Sequence, residues 1–237
     1  MPDLRFVEAA MDPNLIAGIY NGCDQWCHYC PATDKCLAFR LSEQKAGRNI
    51  YGDIRDAMRE SIIALKESHE TQGRQPPGEL LQLIEDSGKP VILEPVNDPL
   101  ERLGRRYAIV ATTYIASGEP LPDEIPKRPH GPTPQEVFQY YHFQIATKIY
   151  RAIISARRAA SKGDGDLQGD ANLTAKVALL GIDRSDEALQ VLALDDPDVR
   201  IGHLRRLLRQ LRQDIEIRFP DARRTVRPGF DPETVSP

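Results

Sequence analysis

All four cysteines of this 237-residue chain fall within fourteen consecutive positions, Cys23-Asp-Gln-Trp-Cys27-His-Tyr-Cys30-Pro-Ala-Thr-Asp-Lys-Cys36. That bunching constrains the fold twice over. The rest of the chain has no covalent staple and must be held by a hydrophobic core, which a chain of this length can bury. The cysteine segment itself, with three, two and five residues between successive thiols, can converge on one metal centre, whereas cysteines used only as small core residues would be scattered. In a reducing cytosol a compact thiol set points to metal rather than to two disulfides, which belong to small secreted scaffolds. The candidate ligands are therefore Cys23, Cys27, Cys30 and Cys36, for one [4Fe–4S] cluster or one zinc ion.

Charge narrows the partner classes. Lysine and arginine total 31 against 35 acidic residues, a formal net charge of −4, so no global field draws the chain to nucleic acid. From position 196 to the end there are nine arginines against seven acids and few aromatic rings for base stacking, so Arg205, Arg206, Arg209 and Arg212 read as a solvated helix face. The amino-terminal Met-Pro-Asp-Leu-Arg-Phe-Val-Glu has no basic region followed by an apolar run, and the longest apolar-rich stretch, 107–118, is far short of a membrane span. The expectation is a soluble, cytoplasmic protein with no membrane partner and no nucleic-acid partner.

Periodicity makes the remainder helical. Ile54, Met58, Ile62 and Leu65 recur at helical steps over 52–70, a stretch ended by the turn residues of 71–78, and a short helix follows over 79–86. Asp98-Pro99 supplies a cap and a first-turn proline for a helix with Leu100, Leu103, Tyr107, Val110 and Tyr114 on one face, although the β-branched run 109–115 also suits a strand. Five prolines between Ser117 and Pro132 make an extended connection. Thr133-Pro134-Gln135-Glu136 is a capping box that opens a helix to about 160, and a Gly- and Asp-rich loop is expected over 162–170. A helix over 172–194, apolar nearly all round, reads as central. Asp196-Pro197 is expected to cap the last helix, whose stripe is Ile201, Leu204, Leu208, Leu211 and Ile215, before Pro220 ends it.

The fold class is mostly α: a bundle of four to five long helices with an N-terminal cysteine-rich metal-binding loop. Its parts are a metal-binding loop and lead-in helix at 1–48, the bundle at 49–219 and a tail at 220–237, together one domain.

The last three cysteines, Cys27-x-x-Cys30-Pro-x-x-x-x-Cys36, resemble the iron–sulfur loop of the endonuclease III and adenine-glycosylase family. In that family a further cysteine precedes by six residues, where three intervene here. The likeness covers fourteen residues, and the family's helix-hairpin-helix and catalytic aspartate have no counterpart. It implies a four-thiolate [4Fe–4S] ligand set without glycosylase activity. Cys23-x-x-x-Cys27-x-x-Cys30 also resembles the motif of radical S-adenosylmethionine enzymes, and Ser117-Gly118-Glu119-Pro120 that family's Gly-Gly-Glu-Pro turn. That likeness implies three ligands and an open iron, makes Cys36 superfluous, and requires a β/α barrel. The wider chain is similar to uncharacterised bacterial proteins that pair a Cys-Asp-x-Trp-Cys segment with a C-terminal Arg-Pro-Gly-Phe-Asp, here the residues from Arg227 to Asp231.

Three further features have bland readings. Trp26, the single tryptophan, packs the loop onto the helices rather than serving a cluster directly. His142 shares helical spacing with Phe138, Ile145 and Ile149 and is read as a core histidine, not a ligand. Asn172, Lys176, Asp183 and Glu187 form a solvated polar side on the central helix. The functional expectation is an iron–sulfur protein with a redox, sensing or structural role and a protein redox partner. The alternatives are a radical S-adenosylmethionine enzyme and a zinc-stapled interaction module.

Overall fold

The computed structural model describes residues 12–43, 97–117, 131–195 and 197–232, with isolated positions between 66 and 78. The helices expected over 52–70 and 79–86, the proline-rich connection over 118–130 and the Gly118-Glu119-Pro120 turn lie wholly or mostly outside the described residues. The chain forms two compact units: Met1–Ala17 with Ala32–Pro95, and Gly18–Pro31 with Val96–Pro237.

In the first unit the Asp12 carboxylate accepts a 2.6 Å bond from Arg40, and the Ile16 amide donates to the Lys35 carbonyl at 3.0 Å. A 3-10 turn at Thr33–Lys35 leads through buried Cys36 into the short helix α1, Leu37–Glu43. The Arg40 amide closes its first turn on the Cys36 carbonyl at 3.0 Å.

The second unit holds four long helices: α2 (Pro99–Ala116), α3 (Pro134–Lys162), α4 (Gly165–Asp195) and α5 (Val199–Arg218). No strand occurs among the described residues, so the mostly α bundle stands. Local chemistry starts α2 and α3 where the sequence places them. Asp98 accepts the Leu100 amide at 3.0 Å ahead of Pro99. At α3 the box is reciprocal, with the Glu136 amide on Thr133 Oγ1 and the Thr133 amide on Glu136 Oε2. The β-branched stretch 109–115 is helix; Thr112 and Thr113 turn their hydroxyls back onto the carbonyls of Ala108 and Ile109.

Two expectations need correction. The loop over 162–170 shrinks to 163–164: Gly163 ends α3 at φ 65°, and Asp164 immediately caps α4 by accepting the amides of Asp166 and Leu167. A glycine suited to the left-handed stop, followed by an N-cap aspartate, needs no longer loop, and Gly165 and Gly169 are absorbed into the new helix. The last helix is capped by Asp198, which accepts the Arg200 amide at 2.7 Å, rather than by Asp196. Pro197 precedes the cap instead of occupying the first helical position.

The core lies along α3 and α4. Helix α2 packs on α3 and α5, and α5 packs on α4, so each long helix meets two others in a ring and the helix expected to be central is no more enclosed than its neighbours. The buried ridge of α3 is Phe138, Tyr141, Ile145 and Ile149, steps of three and four residues. His142 is displaced from that face by Tyr141; it is half-buried, and its Nδ1 meets its own helix at the Gln139 carbonyl. Gly181 lets α3 and α4 close on one another, because a Cβ there would lie 3.0 Å from Tyr141 Cδ1 and 3.1 Å from Ile145 Cγ1.

Candidate metal-binding loop and adjoining cleft

The segment from Gly18 to Pro31 belongs to the helical unit and is fixed to it mainly by groups other than its thiols. Gly22, just before the first cysteine, packs so tightly that a Cβ would sit 3.1 Å from Leu173 Cδ1 and 3.3 Å from Arg227 Cβ. Asp24 is the hub. Its Oδ2 accepts from the Tyr141 hydroxyl and from Arg184 Nη1, both at 2.5 Å, and its backbone carbonyl accepts from the Tyr140 hydroxyl at 2.8 Å and from Gln144 Nε2. Oδ1 accepts the Trp26 amide at 3.2 Å, which turns the chain past Gln25, held at φ 65°.

Trp26, only 9% exposed, lies flat on Tyr140 at 4.3 Å and 8°, and meets Tyr29 and Tyr141 edge-on. These are favourable offset and edge geometries, and they make the tryptophan the apolar plug between loop and α3. Burial, and then the Asp24 charge, push the Tyr140 and Tyr141 phenols well above their ordinary pKa, so both remain donors throughout the physiological range.

The Cys23 carbonyl accepts from Lys148 Nζ at 3.2 Å, and its thiol donates to the Tyr20 carbonyl at 3.4 Å. Lys148 is 5% exposed. Burial lowers its pKa, and the Cys23 and Asp24 charges oppose that shift. A buried ammonium beneath Cys23 suits an anionic thiolate ligand set. Cys27 opens a 3-10 turn, Cys27–Tyr29, and is exposed; Cys30 ends it, half-buried, with its amide on the Cys27 carbonyl at 3.2 Å. Cys36 is buried and lies in the other unit. None of the four is in a disulfide. Among the described residues, no three His, Cys, Asp or Glu side chains are gathered as a metal-ligand set. In donor chemistry the cysteines fit an iron–sulfur cluster or zinc, whose binding would be coupled to local folding of the loop.

The C-terminal Arg227-Pro-Gly-Phe-Asp231 is clasped to α4. Asp231 accepts from the Arg227 amide at 2.9 Å, from Arg227 Nε and Nη2 at 3.1 and 2.9 Å, and from Lys176 Nζ at 2.6 Å. Lys176 also donates to the Thr225 carbonyl at 2.6 Å. The side of α4 read as solvated is thus a docking strip for the tail. Farther along it, Asp183 binds Arg212 and Arg223, while Arg205 binds Asp186, so part of the arginine-rich face is spent on ion pairs within the bundle.

No protein-family model, curated protein or solved structure matches this chain.

The two segments singled out by sequence, about 200 residues apart, meet around one cleft of about 550 Å³. The loop contributes Asp24, Trp26, Tyr29, Cys30 and Pro31; α4 contributes Arg184, Glu187, Ala188 and Val191; the tail contributes Arg227 and Phe230. Sequence reading missed Tyr140, Gln144 and Lys148, although their four-residue spacing puts them on one flank of α3, the signature of a polar ridge serving something outside the helix.

Burial would raise the Asp231 carboxyl, but the bonds from Arg227 and Lys176 outweigh it and hold its pKa well below the usual carboxylate range. A depressed folded value contributes stability above the unfolded carboxylate pKa, lost only as pH falls through the folded value. Asp231→Asn is therefore expected to cost about 2 kcal/mol at pH 7, and nearly the same at about pH 4, in urea unfolding of the two proteins. A penalty that vanishes by that lower pH would remove the clasp.

Proposed function

We propose that this chain is a cytoplasmic iron–sulfur protein that binds one [4Fe–4S] cluster through Cys23, Cys27, Cys30 and Cys36 and has a redox, sensing or structural role, with a protein redox partner. The observation that carries this reading is the confinement of every cysteine to fourteen positions, three of them in a loop pinned by Asp24, Trp26 and the Cys23 carbonyl. Bound there, a cluster would supply one-electron redox chemistry or a structural staple. The chain's own part is to present four thiolates, to offset their charge with Lys148, and to keep Trp26 as an apolar wall behind the ligand loop. No helix among the described residues is long and apolar enough to cross a membrane.

Two variants separate this from its rivals. Cys36→Ala is expected to lose most of its iron, as Cys27→Ala does, and to unfold at lower temperature, because metal binding stabilises the folded state by mass action. In the radical-enzyme reading the cluster would survive in Cys36→Ala, and added S-adenosylmethionine would change its electron paramagnetic resonance signal. That reading also needs a strand-rich barrel, whereas the residues of α2, α3, α4 and α5 are committed to helix. Full iron in Cys36→Ala with a cofactor-shifted signal would overturn the four-thiolate site.

A further inference from the structure

The cleft between the cysteine loop, α4 and the tail has the size of a small-molecule site, and two of its charged groups stand on one face of α4. Arg184, Glu187 and Val191 stand at successive turns of α4 and all line it. Arg184 is held rigidly by one nitrogen only: Nη1 binds Asp24 and the Tyr141 hydroxyl, and the guanidinium rests over the Tyr141 ring at 5.6 Å from its centre. Its Nε and Nη2 make no hydrogen bond to the described residues, which leaves a pre-oriented N–H pair of the kind that takes a carboxylate bidentately. Glu187 is exposed and has no ion-pair partner among the described residues. One further turn along, Val191 lines the same cleft, as do Ala188 and, from α3, Pro134 and Val137.

Read along the helix, the order is a carboxylate receptor, an ammonium receptor and an apolar chamber. The geometry points to a binding site for a free α-amino acid with an aromatic or large aliphatic side chain, its carboxylate on Arg184, its ammonium on Glu187, and its side chain among Val137, Ala188 and Val191. A carboxylate and an ammonium on one carbon need receptors about one helical turn apart, which a spacing of three residues provides. This site does not rest on the metal reading, since none of its recognising groups is a thiol.

Trp26 is the chain's single tryptophan and lies in the wall, so its fluorescence reports occupancy directly, with calorimetry as the second readout. L-Phenylalanine is expected to give a saturable change, while N-acetyl-phenylalanine, which mimics a peptide C-terminus, and phenylalanine amide bind at least about tenfold more weakly, the loss of one charge-assisted contact each. In Glu187→Gln, a substitution at an exposed and unpaired position, phenylalanine affinity should fall to that of the N-acetyl compound, whose own affinity stays unchanged. Arg184→Gln should abolish binding of both. No saturable change up to about 10 mM phenylalanine would overturn the site. So would equal binding of the three compounds, or a Glu187→Gln protein that still prefers the free amino acid.

Discussion

Replacing Trp26 by alanine is expected to unfold the cysteine segment from the helical unit and to cost about 4 kcal/mol in urea unfolding followed by circular dichroism. The indole is 9% exposed and touches Tyr29, Tyr140 and Tyr141 through ring contacts at once. Its loss leaves a void bordered by rings that α3 holds in place, so the site has little means of collapsing around the smaller residue. The neighbouring backbone would lose its register on Asp24, whose Oδ1 accepts the Trp26 amide. Faster proteolysis within the loop than within α4 would accompany the loss. A variant with wild-type stability would mean that the loop is held by something other than this plug.

Asp24→Ala is expected to cost about 3 kcal/mol, and to lower metal retention further than it lowers global stability. Most of that cost comes from the Tyr141 hydroxyl, a donor on a 1%-exposed side chain that would be left without its acceptor. The ion pair with Arg184 adds little, because that guanidinium is 47% exposed and solvent screens it. The backbone bonds to Tyr140 and Gln144 would survive the substitution, so the loop would loosen at its side-chain anchor and keep its main-chain one. Asp24→Asn should retain the Tyr141 bond and lose less than half as much. If the two variants are equally unstable, charge rather than hydrogen bonding holds the loop.

What was legible in the sequence is what is local. Asp98-Pro99 and the Thr133–Glu136 box start helices because the capping oxygen and the amide it accepts are within three residues of each other. The misjudged loop after α3 failed on competing local signals: Gly165 and Gly169 read as breakers, yet Asp164 as an N-cap outweighs their helix cost. Pairings between helices were beyond reach. Asp183 and Lys176 looked like a solvated face because their partners, Arg212, Arg223 and Asp231, are separated from them by 29 to 55 residues. The same holds for the loop. Asp24 stands out only as an acid among cysteines, and the tyrosines, glutamine and arginine that make it a hub lie 116 to 160 residues downstream. The thiols themselves were the plainest feature of the sequence, whereas the tail that meets their loop at the cleft was marked only by a resemblance, through its Arg-Pro-Gly-Phe-Asp motif.

The most direct measurement is the iron, acid-labile sulfide and zinc content of the protein purified without oxygen, taken together with its absorption spectrum. Four local thiolates holding a cubane should give a brown protein with about four irons and four sulfides per chain and a broad band near roughly 400 nm. A colourless protein with one zinc and no sulfide would contradict the cluster and leave a zinc-stapled helical module.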